Sequence, residues 1–167
     1  VWKGFTLKNW QNPCGAPDVC KALGNSIQIG LIATLIATIL GTLIAFAIGR
    51  NQFKGRSTTN LVIFLPMATP EVVLGASLLA MFLSIKFNPG FWPIVIAHVM
   101  FCISFVVVTV KARIASLDPR LEQAAMDLYA NEFETFRRVT LPLVMPGIAG
   151  AALLAFSLSF DDFIITN

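Results

Sequence analysis

The sequence predicts an all-α membrane protein, a helical bundle with about four transmembrane helices, and three observations carry that prediction. Of 167 residues, 56% are hydrophobic and 13% charged, with a mean hydropathy of +0.77. That is more apolar side chain than a soluble chain of this length is able to bury. Four apolar runs, at about Ser26 to Ile48, Leu61 to Ser84, Pro93 to Ile114 and Leu141 to Phe160, each reach the roughly 20 residues that a bilayer core of about 30 Å requires. The runs are too long for sheet strands and lack the alternation of a membrane barrel, so helices remain as the way to satisfy the backbone in lipid.

Taken in order, Val1 to Leu23 reads as an outer segment. No charged region with a cleavage site precedes the first span, so this is not a signal peptide. The chain is expected to be the interior of a longer membrane protein, lacking at least one span at each end. Cys14 and Cys20 are placed for a disulfide in an oxidising compartment, with two unrelated thiols as the alternative. The first span carries Ala33, Ala37, Gly41, Ala45 and Gly49, a small residue every fourth position, which lets another helix backbone come close. The second contains Pro66 and Pro70, which are expected to kink it near its middle. In the third span, His98 and Cys102 read as packing residues. The fourth repeats the small-residue ridge with Gly147, Ala151, Ala155 and Ser159.

Orientation follows from Lys and Arg. Arg50, Lys54 and Arg56 follow the first span, and Lys111, Arg113, Arg120, Arg137 and Arg138 surround the connection after the third; these are eight of the chain's 12 basic residues. The positive-inside rule places both connections in the cytoplasm. Trp2, Trp10, Phe91 and Trp92 then fall at the outer interface as aromatic anchors. The net charge of +3 is accounted for by this asymmetry, and no nucleic acid partner is implied.

Between the third and fourth spans lies a stretch too polar for lipid, 118–139. Asp118 is positioned to cap a helix opening at Pro119. Leu121, Ala124, Ala125 and Leu128 fall at i, i+3, i+4 and i+7 and form one apolar face, with Arg120, Glu122, Gln123 and Asp127 on the other side. Asn131 and Glu134 have capping-box spacing for a second helix, with Phe133 and Phe136 on its apolar side. The pair forms a cytoplasmic hairpin. DNA binding is disfavoured because Asp118, Glu122, Asp127, Glu132 and Glu134 balance its basic residues. An amphipathic loop lying on the membrane is the plainer reading.

Acids in or near the membrane are the candidate pathway residues. Glu71 follows Pro70, and a carboxylate inside the bilayer is costly unless paired, protonated or facing water. Asp161 and Asp162 end the fourth span, where the helix dipole disfavours acids. An intramembrane enzyme built on Glu71, His98 or the two aspartates is disfavoured, because adjacent helical residues point about 100° apart and cannot converge on one bond. No second His exists to build a metal site with His98, and no metal or other cofactor is expected.

The run Gln123-Ala124-Ala125, three residues, Tyr129, nine residues, then Val139-Thr140-Leu141-Pro142 resembles the cytoplasmic EAA motif of permease subunits of binding-protein-dependent ABC importers. Leu65-Pro66-Met67, Pro70 to Gly75 and Ser157 to Phe163 resemble segments of the spermidine and putrescine (polyamine) permease branch, and the likeness covers nearly the whole chain. Two positions depart from the motif: its Glu is Gln123, with Glu122 just before it, and its Gly is Tyr129. A left-handed turn at Tyr129 would cost about 1–2 kcal/mol, so either Ala130 and Asn131 are expected to make the turn differently or the hairpin is altered.

The resemblance implies a type I ABC importer permease-like bundle in a bacterial inner membrane, with one transmembrane domain. Its parts would be an outer segment 1–23, three helices in 24–117, the coupling hairpin 118–139, and the fourth helix with its outer end in 140–167. It further implies a partner ABC ATPase gripping Glu122, Gln123, Ala124, Ala125, Asp127, Tyr129, Ala130, Leu141 and Pro142, a second permease subunit, and an extracytoplasmic substrate-binding protein. Glu71, Asp161 and Asp162 would line a route for a polyamine; sugar, thiamine, iron or sulfate importers, or a passive scaffold subunit, are the alternatives. ATP would be used by the partner, since no G-x-x-x-x-G-K-[ST] phosphate loop occurs in this chain.

Overall fold

The computed structural model describes residues 17–162. Cys14, and with it the expected Cys14–Cys20 bridge, lies outside the described residues, as do Trp2 and Trp10. Within them the order is α1 (Pro17–Arg50), α2 (Arg56–Ala68), α3 (Glu71–Ser84), α4 (Phe91–Ala115), α5 (Arg120–Asp127), α6 (Glu132–Thr135), a π-helical turn (Phe136–Thr140) and α7 (Leu141–Asp161). Three helical runs are long and apolar enough to cross a membrane, and the α2–α3 pair makes a fourth if it is counted as one broken span.

The centre of the molecule is α4, packed against α1 and α7, which also pack on each other. Its Phe101, Cys102, Val106, Val107 and Val110 are buried against Ala37 and Ala45 of α1 and Val144, Ala151 and Ala155 of α7. Both small-residue ridges therefore form seams of this three-helix core. In lipid there is no water-exclusion force between spans, so close backbone approach and its dispersion energy hold them together. A Cβ at Gly41 would sit 2.7 Å from Val106 Cγ1, and one at Gly147 would sit 2.6 Å from Arg113 Cγ. Arg113 in turn donates from Nε and Nη2 to the Leu143 carbonyl, at 3.1 and 2.9 Å, tying the cytoplasmic end of α4 to the start of α7. Offset by two positions from the ridge, Leu31, Leu35, Ile39 and Leu43 are all exposed on the opposite side of α1.

The second span departs from the expected single kinked helix. It is two helices, meeting at 105°. Pro66 is accommodated inside α2, whereas Pro70 ends it: Thr69 takes the extended conformation (φ −85°, ψ 133°) that a residue before proline prefers, and Pro70 becomes the N-cap of α3. Glu71 is thereby the first residue of α3, where the positive end of the helix dipole favours a carboxylate. The pair is peripheral, with no buried residue on α2 and Phe82 alone buried on α3. At its outer end α3 closes in a left-handed Lys86 (φ 56°), with Phe87 N–H donating to Phe82 O at 2.8 Å and the two rings 5.8 Å apart. That is the Schellman arrangement with its accompanying apolar contact.

Candidate functional site

The hairpin is built as the capping residues require. The Asp118 carboxylate accepts at 2.9 Å from the N–H of Arg120, the first residue of α5, and Pro119 between them already has helical dihedrals (φ −62°, ψ −18°), the arrangement expected of Asp118 and Pro119. Asn131 Oδ1 accepts from Glu134 N–H at 2.8 Å while the Glu134 carboxylate accepts from Asn131 N–H at 3.4 Å, completing the capping box of α6.

The turn between them keeps the geometry that a glycine would give. Tyr129 is left-handed, φ 66°. Ala130 N–H donates to Ala125 O at 3.2 Å and Tyr129 N–H to Met126 O at 3.0 Å, the two bonds of a Schellman C-cap. Tyr129 thus carries the strain instead of passing it to Ala130 and Asn131. Its side chain is 99% exposed, so no packing compensates for it.

The apolar face expected of α5 is turned away from the bundle, a direction its periodicity left open. Leu121 and Leu128 are exposed, as are Gln123, Ala124, Met126 and Asp127, and Ala125 is half-buried. Phe133 likewise stays exposed, while Phe136 packs edge-to-face on Phe46 of α1 at 5.2 Å. The inward contact of α5 comes instead from its polar side. Glu122 forms an ion pair with Arg50, the last residue of α1. Thr140 Oγ1 donates to Glu122 Oε1 at 2.6 Å, and Arg50 Nη2 lies 3.2 Å from the same hydroxyl. Each charge also suits its own helix, Arg50 at a C-terminus and Glu122 in a first turn. Both side chains are partly exposed, so the pair contributes about 1 kcal/mol or less.

Leu141 is half-buried and Pro142 exposed at the head of α7. Just before them the chain widens into the π-helical turn, in which Leu141 N–H donates to Phe136 O. The wider turn makes room where the Pro142 ring would otherwise meet the Arg138 carbonyl.

The candidate pathway acids lie apart in the fold. Glu71 is exposed at the 105° bend, on a helix that packs chiefly on α4 among the bundle helices. Asp161 ends α7 and is exposed, and Asp162 is its half-buried C-cap. Asp162 lies close enough to His98 to interact with it electrostatically. His98 is fully buried, its Nδ1 2.8 Å from Ser159 Oγ, so it is a hydrogen-bonded member of the α4–α7 seam. Cys102 is a packing residue too, with its thiol 3.5 Å from Ala155 O. No cluster of three or more metal-ligating side chains occurs among the described residues.

Sequence reasoning missed two members of the hairpin's anchorage. Arg50 read as part of the orientation signal, and Thr140 only as a member of the Val139-Thr140-Leu141-Pro142 run. Their nearness to Glu122 spans 72 and 18 residues respectively, a separation that no local pattern encodes.

Residues 37–167 match the family described as binding-protein-dependent transport system inner membrane component. The chain belongs to that family. It is a multi-pass membrane subunit with the all-α bundle of an ABC-transporter permease. Among its relatives, the spermidine/putrescine transport system permease protein PotC of Escherichia coli K12 is 36% identical over 166 residues, covering 99% of this chain and 63% of that protein. The putrescine transport system permease protein PotI of the same organism is 36% identical over 175 residues, 100% of this chain and 62% of the relative. The PotC homolog of Mycoplasma genitalium is 33% identical over 157 residues, covering 92% and 55%. The chain thus spans between about half and two thirds of the length of these permeases.

Proposed function

We propose that this chain forms half of the substrate pathway of an ATP-driven importer and docks a separate ATPase through the hairpin. The observation that carries this is the surface of α5 and its turn. Gln123, Ala124, Asp127, Leu128 and Tyr129 stand exposed together on a capped element whose inner side is bonded to the bundle. A partner gripping that surface moves the bundle with it. Closure of an ATPase dimer would then shift a two-state equilibrium between inward-facing and outward-facing arrangements, by as much as its differential affinity for the two. Hydrolysis belongs to the partner.

The substrate we propose is a polyamine, supported by the names of the relatives and by acids available to a cation. Glu71 sits where the broken α2–α3 span leaves a carboxylate exposed, and Asp161 and Asp162 stand at the outer end of α7. A binding protein at the outer face and a second permease would complete the pathway.

The docking arm is tested by co-purification from cells expressing the full-length protein with its neighbouring genes. An ATP-binding subunit is expected in the complex, and lost on deletion of 122–134. Recovery of no ATPase from the intact protein would refute the importer reading. The substrate arm is tested by labelled spermidine uptake in Glu71→Gln. Uptake is expected to fall while the ATPase stays bound; unchanged uptake would remove Glu71 from the route. Uptake of a sugar or an inorganic anion in place of polyamine would reassign the substrate.

A further inference from the structure

The two helices of the hairpin reach the bundle by different means. From Glu132 to Asp161 the chain is one helical run. Any movement of α6 therefore passes along the backbone into α7. No such continuity exists for α5, which is joined to its neighbours by the turns 116–119 and 128–131. Its attachment is the side-chain cluster at Glu122, and that cluster spans three elements: Arg50 at the end of α1, Glu122 on α5 and Thr140 in the π-helical turn. One turn back along α1, Phe46 packs on Phe136 of the π-helical turn. Positions 46 and 50 lie on one face of α1, so a single face of that helix holds both arms of the hairpin.

We propose that the Arg50–Glu122–Thr140 cluster is the joint that transmits displacement of the hairpin to α1, making Arg50 and Glu122 positioning residues for coupling, while docking belongs to the exposed face of α5. This rests on the importer reading. Three features support it. The helix that receives the motion, α1, packs on both α4 and α7, so moving its cytoplasmic end repacks the whole core. The exposed face of α5 remains free for a partner while Glu122 points inward, so the same helix is gripped from outside and bonded from inside. A partly exposed ion pair adds little to folding stability, so its loss is expected to spare the fold and to appear in transmission.

The test uses the full-length transporter with its ATPase and binding protein in proteoliposomes, reading spermidine transported per ATP hydrolysed. Arg50→Gln and Glu122→Gln are each expected to retain the ATPase and to lower that ratio by about fivefold or more, the lower end of ordinary inter-site coupling. The reciprocal pair Arg50→Glu with Glu122→Arg is expected to recover much of the ratio, which a purely structural defect would not do. A wild-type ratio in Arg50→Gln would overturn the proposal. So would loss of the ATPase in Glu122→Gln but not in Arg50→Gln, which would turn Glu122 outward to the partner. Should the charge variants fail to assemble, Thr140→Val decides: it keeps the ion pair and removes the bridging hydroxyl, and a wild-type ratio there overturns the joint. If the unaltered transporter recovers no ATPase, it is the importer reading that fails.

Discussion

Replacing Gly41 by Ala tests the seam on which the bundle rests. The added Cβ would lie 2.7 Å from Val106 Cγ1, 2.8 Å from Val106 Cβ and 3.3 Å from the Ile103 carbonyl oxygen. Ordinary carbon contacts need about 3.5–4.0 Å, so α1 and α4 must part locally by about 1 Å. Val106 is fully buried and β-branched, and has no free rotamer into which to retreat. A gap of that size forfeits up to half the well of each pair, and with on the order of 20 facing pairs at ~0.15 kcal/mol the loss is about 1.5 kcal/mol. That lies within the ~1–3 kcal/mol usual for overpacking. Unfolding of the purified protein in detergent gives the single-variant costs, and Val106→Gly, which removes both Cβ and Cγ1, supplies the other arm of a double-mutant cycle. With both changes the two closest contacts of the new methyl are gone, so the double variant is expected to be more stable than the sum of the singles by about 1 kcal/mol. Additivity within about 0.5 kcal/mol would show that the two side chains do not meet, and would refute the close α1–α4 approach.

The hairpin and the second seam make further predictions. Tyr129→Gly is expected to stabilise the turn by about 0.5–1 kcal/mol, because relief of the left-handed strain exceeds the entropy of glycine in the unfolded chain. Slower hydrogen exchange of the α5–α6 amides would report it, whereas Tyr129→Ala should change nothing; destabilisation by the Gly variant would contradict the turn assigned here. Asn131→Ala removes the cap of α6 and is expected to cost about 1 kcal/mol, read as faster exchange at Glu134, with unchanged protection as the contrary result. Gly147→Val should be more disruptive than Gly150→Val, since a Cβ at Gly147 meets Arg113 at 2.6 Å while one at Gly150 meets nothing within 4 Å; equal melting temperatures would contradict the α4–α7 packing.

Much of this protein is written locally. Apolar length marked the candidate spans, and small residues at every fourth position marked the faces on which α1 and α7 pack, because each of these is a property of consecutive residues on one helix. The Asn131–Glu134 capping box and the left-handed demand at Tyr129 were legible for the same reason. Tertiary structure decided what depends on two distant segments meeting. Pro66 and Pro70 both weaken a helix, yet only Pro70 ends one, at a 105° break in which Thr69 is extended. Amphipathicity identified an apolar face on α5 but not its direction; with Glu122 paired inward to Arg50, across 72 residues, that face is turned outward.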